Sequence, residues 1–112
     1  MATEMQDQNE NQADNPQADK NISTGDYVAV TFLCENNKKT KFFAGEVTNI
    51  SDNGQEFTIN FFRKQTLKGT YFTFPHVQDK QTVAKEDIVS KLCLKRVVRG
   101  RFYFSMPDYN LE

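Results

Sequence analysis

The aromatic residues of this chain are confined to one part of it. All fourteen lie between Tyr27 and Tyr109, and none occurs in the first 26 positions. Aromatic side chains bury large areas, so they mark the part of the chain that can build a core. They occur in five short clusters separated by polar, turn-forming stretches: Tyr27–Phe32, Phe42–Phe43, Phe57–Phe62, Tyr71–Phe74 and Phe102–Phe104. This spacing predicts a small all-β domain of about five strands.

The first 24 residues differ in composition from the rest. They are rich in Gln, Asn, Asp and Glu, they carry a net charge of −4, and Ile22 is their only branched aliphatic residue. Such a segment buries too little apolar surface to offset the entropy lost on ordering. We therefore expect residues 1–24 to form a disordered acidic tail and residues 25–112 to form one domain. The whole chain carries −1, which leaves +3 on the domain.

Alternation of apolar and polar residues predicts the individual strands. Gly45, inside the second strand, predicts a bulge or a close approach of another backbone. Asn53-Gly54 predicts a type I′ hairpin turn before the third strand, because both residues tolerate positive φ. The predicted strands are Tyr27–Phe32, Phe42–Ile50, Phe57–Phe62, Tyr71–Phe74 and Arg101–Ser105.

The connections between these strands are polar. We expect a basic turn over Lys64–Thr70, a polar loop over Gln78–Lys85, and a helical turn followed by extended chain over Lys85–Val89. No segment has a long helical period, so strands about ten residues apart favour a small five-stranded barrel over a βαβ fold.

The sequence offers little for catalysis. His76 is the only histidine, and Glu86-Asp87 is expected to be a solvated pair beside a short turn. There is no nucleophile elbow and no glycine-rich phosphate loop. Cys34 and Cys93 lack metal-site spacing and are expected to be reduced thiols. We expect no enzymatic activity, no cofactor and no metal site.

Location and membrane contact can be weighed from the same sequence. No apolar run approaches about 18 residues, and the N-terminus lacks the apolar segment of a secretory peptide. We expect a protein that does not contact a membrane and that resides in the nucleus or cytoplasm.

The first three predicted strands resemble the start of a Tudor domain. The resemblance rests on Gly25–Phe32, Phe42–Val47 and Phe57–Phe62. That family builds a five-stranded Src-homology-3-like barrel and binds methylated lysine or arginine in an aromatic cage. Cation–π attraction holds the poorly hydrated cation against the rings.

The resemblance implies which residues would form a cage. The first three candidates are matched by position and the last two by geometry: Phe32, Phe43, Phe61, Phe62 and Phe72. Lys64, next to Arg63, occupies the position of the family's fourth cage aromatic, and two cations there would repel a cationic ligand. The same alternation is also that of ordinary core residues, so core packing remains an alternative.

A looser resemblance covers nearly all of the predicted domain, residues 25–112. The order of its motifs, including Phe72-Thr73-Phe74-Pro75 and Arg99–Phe104, is similar to a small module of uncharacterised and transposon-derived animal proteins. There the module follows a catalytic or DNA-binding region. The resemblance implies an accessory module and no defined activity.

Two groups of basic residues indicate a different ligand. Five cations occur within eleven residues without an acid, at Lys91, Lys95, Arg96, Arg99 and Arg101, and a second group comprises Arg63, Lys64 and Lys68. Cations beside aromatic residues suit single-stranded nucleic acid, through phosphate attraction and base stacking. An ordinary solvated face is the alternative.

The leading hypothesis is a non-enzymatic interaction module that binds a peptide, methylated or unmethylated, at a groove edged by Phe32, Phe43 and Phe61. One alternative is nucleic-acid binding through residues 91–101 and the Arg63-Lys64 turn. Another is an adaptor that pairs with a partner through an edge strand.

Overall fold

A computed structural model describes residues 21–34, 39–66 and 69–112, which contain nine β-strands and one turn of 3-10 helix. The strands are β1 (Tyr27–Cys34), β2 (Lys39–Ile50), β3 (Glu56–Phe61), β4 (Arg63–Gln65), β5 (Tyr71–Thr73), β6 (Lys80–Ala84), β7 (Ile88–Lys91), β8 (Leu94–Val98) and β9 (Arg101–Phe104). They form two antiparallel sheets, which confirms the all-β prediction. The predicted disorder of residues 1–20 lies outside the described residues.

Sheet 1 has the strand order β6-β3-β2-β1-β7. Its two edge strands follow each other in the chain, joined only by the 3-10 turn Lys85–Asp87. Five flat strands would hold the edges about 19 Å apart. The four steps from Ala84 to Ile88 cover only about 8 Å at 3-10 rise. Sheet 1 must therefore curl until its edges approach each other.

The inner face of sheet 1 encloses the first core, cluster 1. Its members are apolar residues at alternate positions of the five strands: Val28, Val30, Val47, Phe57, Ile59, Phe61, Val83 and Ile88. The alternation predicted for β1 and β3 is confirmed by this burial. Ile22, within the stretch assigned to the tail, also packs against cluster 1.

Gly45 lies on the inner face of sheet 1, paired with Val28 on one side and Phe61 on the other. A Cβ there would collide with the Ile59 side chain and would lie 3.3 Å from the Phe61 ring. The Asn60 backbone carbonyl oxygen would lie 3.2 Å from the same Cβ, so the predicted close approach of another backbone is present. The bulge in this strand lies further along, between Val47 and Asn49, where the pairing with β3 shifts.

Sheet 2 has the order β4-β5-β9-β8 and covers the outer face of sheet 1. Ala29 and Ala44 face each other across β1 and β2, and their small side chains let the rings of sheet 2 come close. Cluster 2 comprises Ala29, Ala44, Phe62, Phe72, Leu92, Phe104 and Leu111. Tyr27 packs at its margin, where burial, and secondarily the negative charge of Glu46, raises its pKa.

The five predicted strands all occur, but they do not all lie in one sheet. The strands predicted at Tyr71–Phe74 and Arg101–Ser105 are β5 and β9 of sheet 2. Sheet 1 is completed instead by β6 and β7. The predicted loop over Gln78–Lys85 is wrong, because residues Lys80–Ala84 pair with β3 as β6.

Two shorter predictions also have clear outcomes. The helical turn followed by extended chain over Lys85–Val89 is confirmed. The turn predicted over Lys64–Thr70 is wrong at its start, where Arg63–Gln65 pairs with β5 as strand β4.

The hairpin at Asn53-Gly54 is confirmed, but its turn type is wrong. Gly54 has a positive φ of 71°, whereas Asn53 does not have the positive φ of a type I′ turn. The Asn53 side chain stabilises the loop through hydrogen bonds. Its Oδ1 accepts hydrogen bonds from the Ser51 hydroxyl at 2.6 Å and from the Gln55 backbone N–H at 3.0 Å. These bonds stabilise a longer loop than a two-residue turn.

The C-terminal segment, residues 109–112, packs against both sheets, and we call it the C-terminal strap. Leu111 is fully buried and forms a parallel bridge with Phe42 of β2. The Glu112 N–H donates to the Phe42 carbonyl at 2.7 Å. The Tyr109 and Ser90 hydroxyls lie 2.6 Å apart and share a hydrogen bond. The strap holds Glu112 beside the site described next.

Candidate functional site

Three of the predicted cage residues lie together on the inner face of sheet 1. The ring centroids of Phe32 and Phe43 are 5.6 Å apart with an edge-on geometry, and those of Phe32 and Phe61 are 5.7 Å apart. Both distances are within the range of favourable aromatic pairs. Phe43 is diagonal to the other two in the ladder, since Phe32 pairs with Lys41 and Phe61 pairs with Gly45. Because Gly45 has no side chain, the Phe61 ring can occupy the space beside it.

These rings form the floor of a cavity of about 680 Å³, the phenylalanine pocket. Its lining residues come from both sheets and from the C-terminal strap: Phe32, Phe43, Phe61, Phe62, Arg63, Lys64, Gln65, Asp79, Gln81 and Glu112. Phe32 and Phe43 are half-buried, whereas Phe61 is buried. The volume is typical of ligand sites, which measure roughly 300–1,000 Å³. The pocket lies between β4, an edge of sheet 2, and β6, an edge of sheet 1.

Two carboxylates balance the two cations of the pocket wall. Asp79 accepts a hydrogen bond from the Gln81 amide at 3.2 Å, and Lys64 donates to the Asn110 side chain at 3.5 Å. Neither Asp79 nor Glu112 forms an ion pair with a described residue. Sequence reasoning missed these two acids, because one lies in a stretch predicted as loop and the other reaches the pocket only through the strap.

The other two cage candidates lie elsewhere in the aromatic core. Phe62 touches the pocket but is only 4% exposed, and its ring stacks on Phe74 at 4.3 Å. Phe72 is 1% exposed, packs against Phe104 in cluster 2, and does not line the pocket.

The basic residues are divided between different surfaces. Lys91 forms an ion pair with Asp26 at 3.4 Å and donates to the Asn21 carbonyl at 3.2 Å. Lys64 faces the pocket, and Lys68 lies outside the described residues. The remaining candidates are exposed on sheet 2 or its hairpin turn: Arg63, Lys95, Arg96, Arg99 and Arg101.

Two tyrosines that sequence reasoning did not single out lie among these cations. Arg101 lies over the Tyr71 ring at 4.8 Å and Arg96 lies over the Tyr103 ring at 4.5 Å. The two rings are 5.9 Å apart. The alternation along β9 could have predicted the position of Tyr103. Phe102 and Phe104 pack in the core, so their neighbours in the strand must face outward.

The residues considered for catalysis and metal binding are scattered. His76 and Glu86 are exposed, and Cys93 carries a free, exposed thiol. Within the described ranges, no three His, Cys, Asp or Glu side chains gather in a way that could hold a metal ion. In the same ranges, no helix has the length and apolar character needed to span a membrane.

Comparison with known proteins finds no matching family model, no matching curated protein and no matching solved structure.

Proposed function

We propose that the chain is a non-enzymatic interaction module with a Tudor-like barrel, and that its phenylalanine pocket receives one side chain of a bound peptide. The barrel interpretation draws on the order of sheet 1, in which consecutive edge strands are joined by a single 3-10 turn. The observation that carries the peptide proposal is the convergence of Phe32, Phe43 and Phe61 on an open cavity.

The pocket suits an apolar cation such as a methylated lysine or arginine. Methyl groups on the cation weaken its hydration, so the faces of half-buried rings attract it. Asp79 and Glu112 supply negative charge that no described residue neutralises by ion pairing. The ammonium group of Lys64 donates a hydrogen bond to the Asn110 side chain.

An edge strand beside the pocket can hold the peptide backbone. β6 ends sheet 1, so one side of it has no strand partner in the described part of the chain. Lys80, Gln81 and Thr82 are exposed there. An extended peptide pairing with β6 would place alternate side chains toward the pocket, in the manner of β-augmentation.

The test is a titration of short peptides into labelled protein, followed by backbone amide shifts. Peptides centred on trimethyl-lysine, on dimethyl-arginine, on unmodified lysine and on a neutral tert-butyl isostere separate charge from shape. We expect shifts at β1, β2 and β6 and the tightest binding for a methylated cation. Absence of binding by every peptide, or equal binding of the neutral isostere, would overturn the cation assignment.

Neighbouring phenylalanines of β2 provide a matched pair of variants. Phe43→Leu changes the pocket, whereas Phe42→Leu changes the opposite face, where Phe42 contacts Tyr109 at 4.6 Å. We expect Phe43→Leu to weaken binding about tenfold or more and Phe42→Leu to leave it unchanged. Asp79→Asn should weaken the methylated peptide more than the neutral isostere. Equal effects of the two leucine variants would contradict the pocket as the binding site.

A further inference from the structure

The outer face of sheet 2 presents stacked arginine and tyrosine side chains. Residues of one face alternate along each strand, and this face comprises Arg63, Gln65, Tyr71, Thr73, Arg96, Val98, Arg101 and Tyr103. The guanidinium groups of Arg101 and Arg96 lie over the two tyrosine rings. Beneath them Phe72 and Phe104 are buried, so the strands that carry the rings are fixed by cluster 2.

The charge of this surface has one sign. The four strands of sheet 2 and the turn Arg99-Gly100 contain no Asp or Glu, and they contribute six cations. Five of them are exposed, namely Arg63, Lys95, Arg96, Arg99 and Arg101. Flat aromatic and guanidinium groups within a one-sign patch combine the two features that single strands require, stacking surfaces and phosphate attraction.

The hairpin turn beside this face carries an unusual arginine. Arg99 and Gly100 both have positive φ, 52° and 76°, as a type I′ turn requires. Asn is the residue that this first position favours, and a long side chain there is uncommon. Arg99 therefore occupies a strained backbone position at the edge of a basic face. Strain of this kind is common at functional sites, which suggests a binding role for the Arg99 side chain.

We propose that the outer face of sheet 2 binds single-stranded nucleic acid. Tyr71 and Tyr103, with the guanidinium planes above them, stack bases, and Arg63 and the turn residue Arg99 contact phosphates. Double-stranded nucleic acid keeps its bases stacked internally and cannot use these rings. Arg63 and Gln65 also line the phenylalanine pocket, so this face borders the pocket, whereas Tyr71, Tyr103, Arg96 and Arg101 lie outside it.

The test uses the full chain and a fluorescein-labelled mixed-sequence oligonucleotide of about twelve nucleotides, a length within the site sizes of single-strand binding domains. We expect binding in fluorescence anisotropy that weakens with salt by a log–log slope of about −0.7 per phosphate contacted. The chain has four tyrosines and no tryptophan, so base stacking will also quench its intrinsic fluorescence. The duplex of the same sequence should bind more weakly.

Two pairs of variants remove first the arginines and then the tyrosines of this face. Arg96→Gln combined with Arg101→Gln should weaken binding about tenfold or more, while Lys80→Gln, an exposed cation of sheet 1, should not. Tyr71→Leu combined with Tyr103→Leu should abolish the quenching and weaken binding about tenfold. Thermal melts monitored by circular dichroism show which variants remain folded, and the arginine pair keeps the proposal testable if the tyrosine pair does not.

Several outcomes would overturn this proposal. One is no binding at low salt, and another is an equal loss for Lys80→Gln and the arginine pair. Tighter binding of polyglutamate or of vesicles containing phosphatidylserine would assign the face to a different polyanion. Phe43→Leu is expected to leave oligonucleotide binding unchanged, so failure of the peptide proposal would be recognised separately.

Discussion

Gly45 is the residue on which both the curl of sheet 1 and the shape of the phenylalanine pocket depend. We expect Gly45→Ala to destabilise the protein by about 1–3 kcal/mol, because the new methyl group overpacks cluster 1 against Ile59 and Phe61. Urea unfolding measures the change. Gly45, unlike Gly54 with its φ of 71°, has no positive φ, so its substitution tests packing and not backbone strain. A change of less than about 0.5 kcal/mol would contradict this account.

The sequence predicted some residues of the phenylalanine pocket and not others. Phe32, Phe43 and Phe61 follow from strand alternation and from the resemblance to Tudor domains. Asp79 and Glu112 do not, because their place in the pocket depends on how a loop and the C-terminal strap cross the sheets. Local patterns carry no information about such long-range contacts.

At the scale of elements, predictability depended on how many apolar anchors each strand has. β1 and β3 place cluster 1 residues at alternate positions, and their sequences predict them well. β6 has a single buried residue, Val83, and it exists because its backbone completes the ladder with β3. The assignment of β5 and β9 to a second sheet was equally unpredictable. Both faces of β1 and β2 bury residues, and the alternation does not indicate which strands cover the outer face.

The β8–β9 hairpin allows a test of strain at Arg99. We expect Arg99→Asn to stabilise the protein by roughly 0.5–1 kcal/mol, because Asn adopts the left-handed conformation more readily. The unfolding midpoint in urea measures this. Arg99→Lys retains both the charge and the strain and should gain nothing. If the two variants are equally stable, the turn is not strained by its arginine.

The whole molecule depends on the strap formed by residues 109–112. Leu111 is fully buried where sheets 1 and 2 meet, so Leu111→Ala should lower the free energy of unfolding by about 2–5 kcal/mol. Met106→Ala, at a residue that is 49% exposed, should change it by less than about 0.5 kcal/mol. Urea unfolding of both variants measures the contrast. Similar values for the two would mean that the strap is dispensable.

Sheet 2 is composed of two hairpins that enter it from separate parts of the chain. The β4–β5 hairpin precedes β6 and the β8–β9 hairpin follows β7, and the two meet through the pairing of Phe72 with Phe102. The chain between the two hairpins includes β6 and β7, so sheet 1 sets how the hairpins are placed relative to each other. Tyr71 and Tyr103 lie on opposite sides of the Phe72–Phe102 pairing, so the spacing between the two rings depends on this pairing as well as on sheet 1.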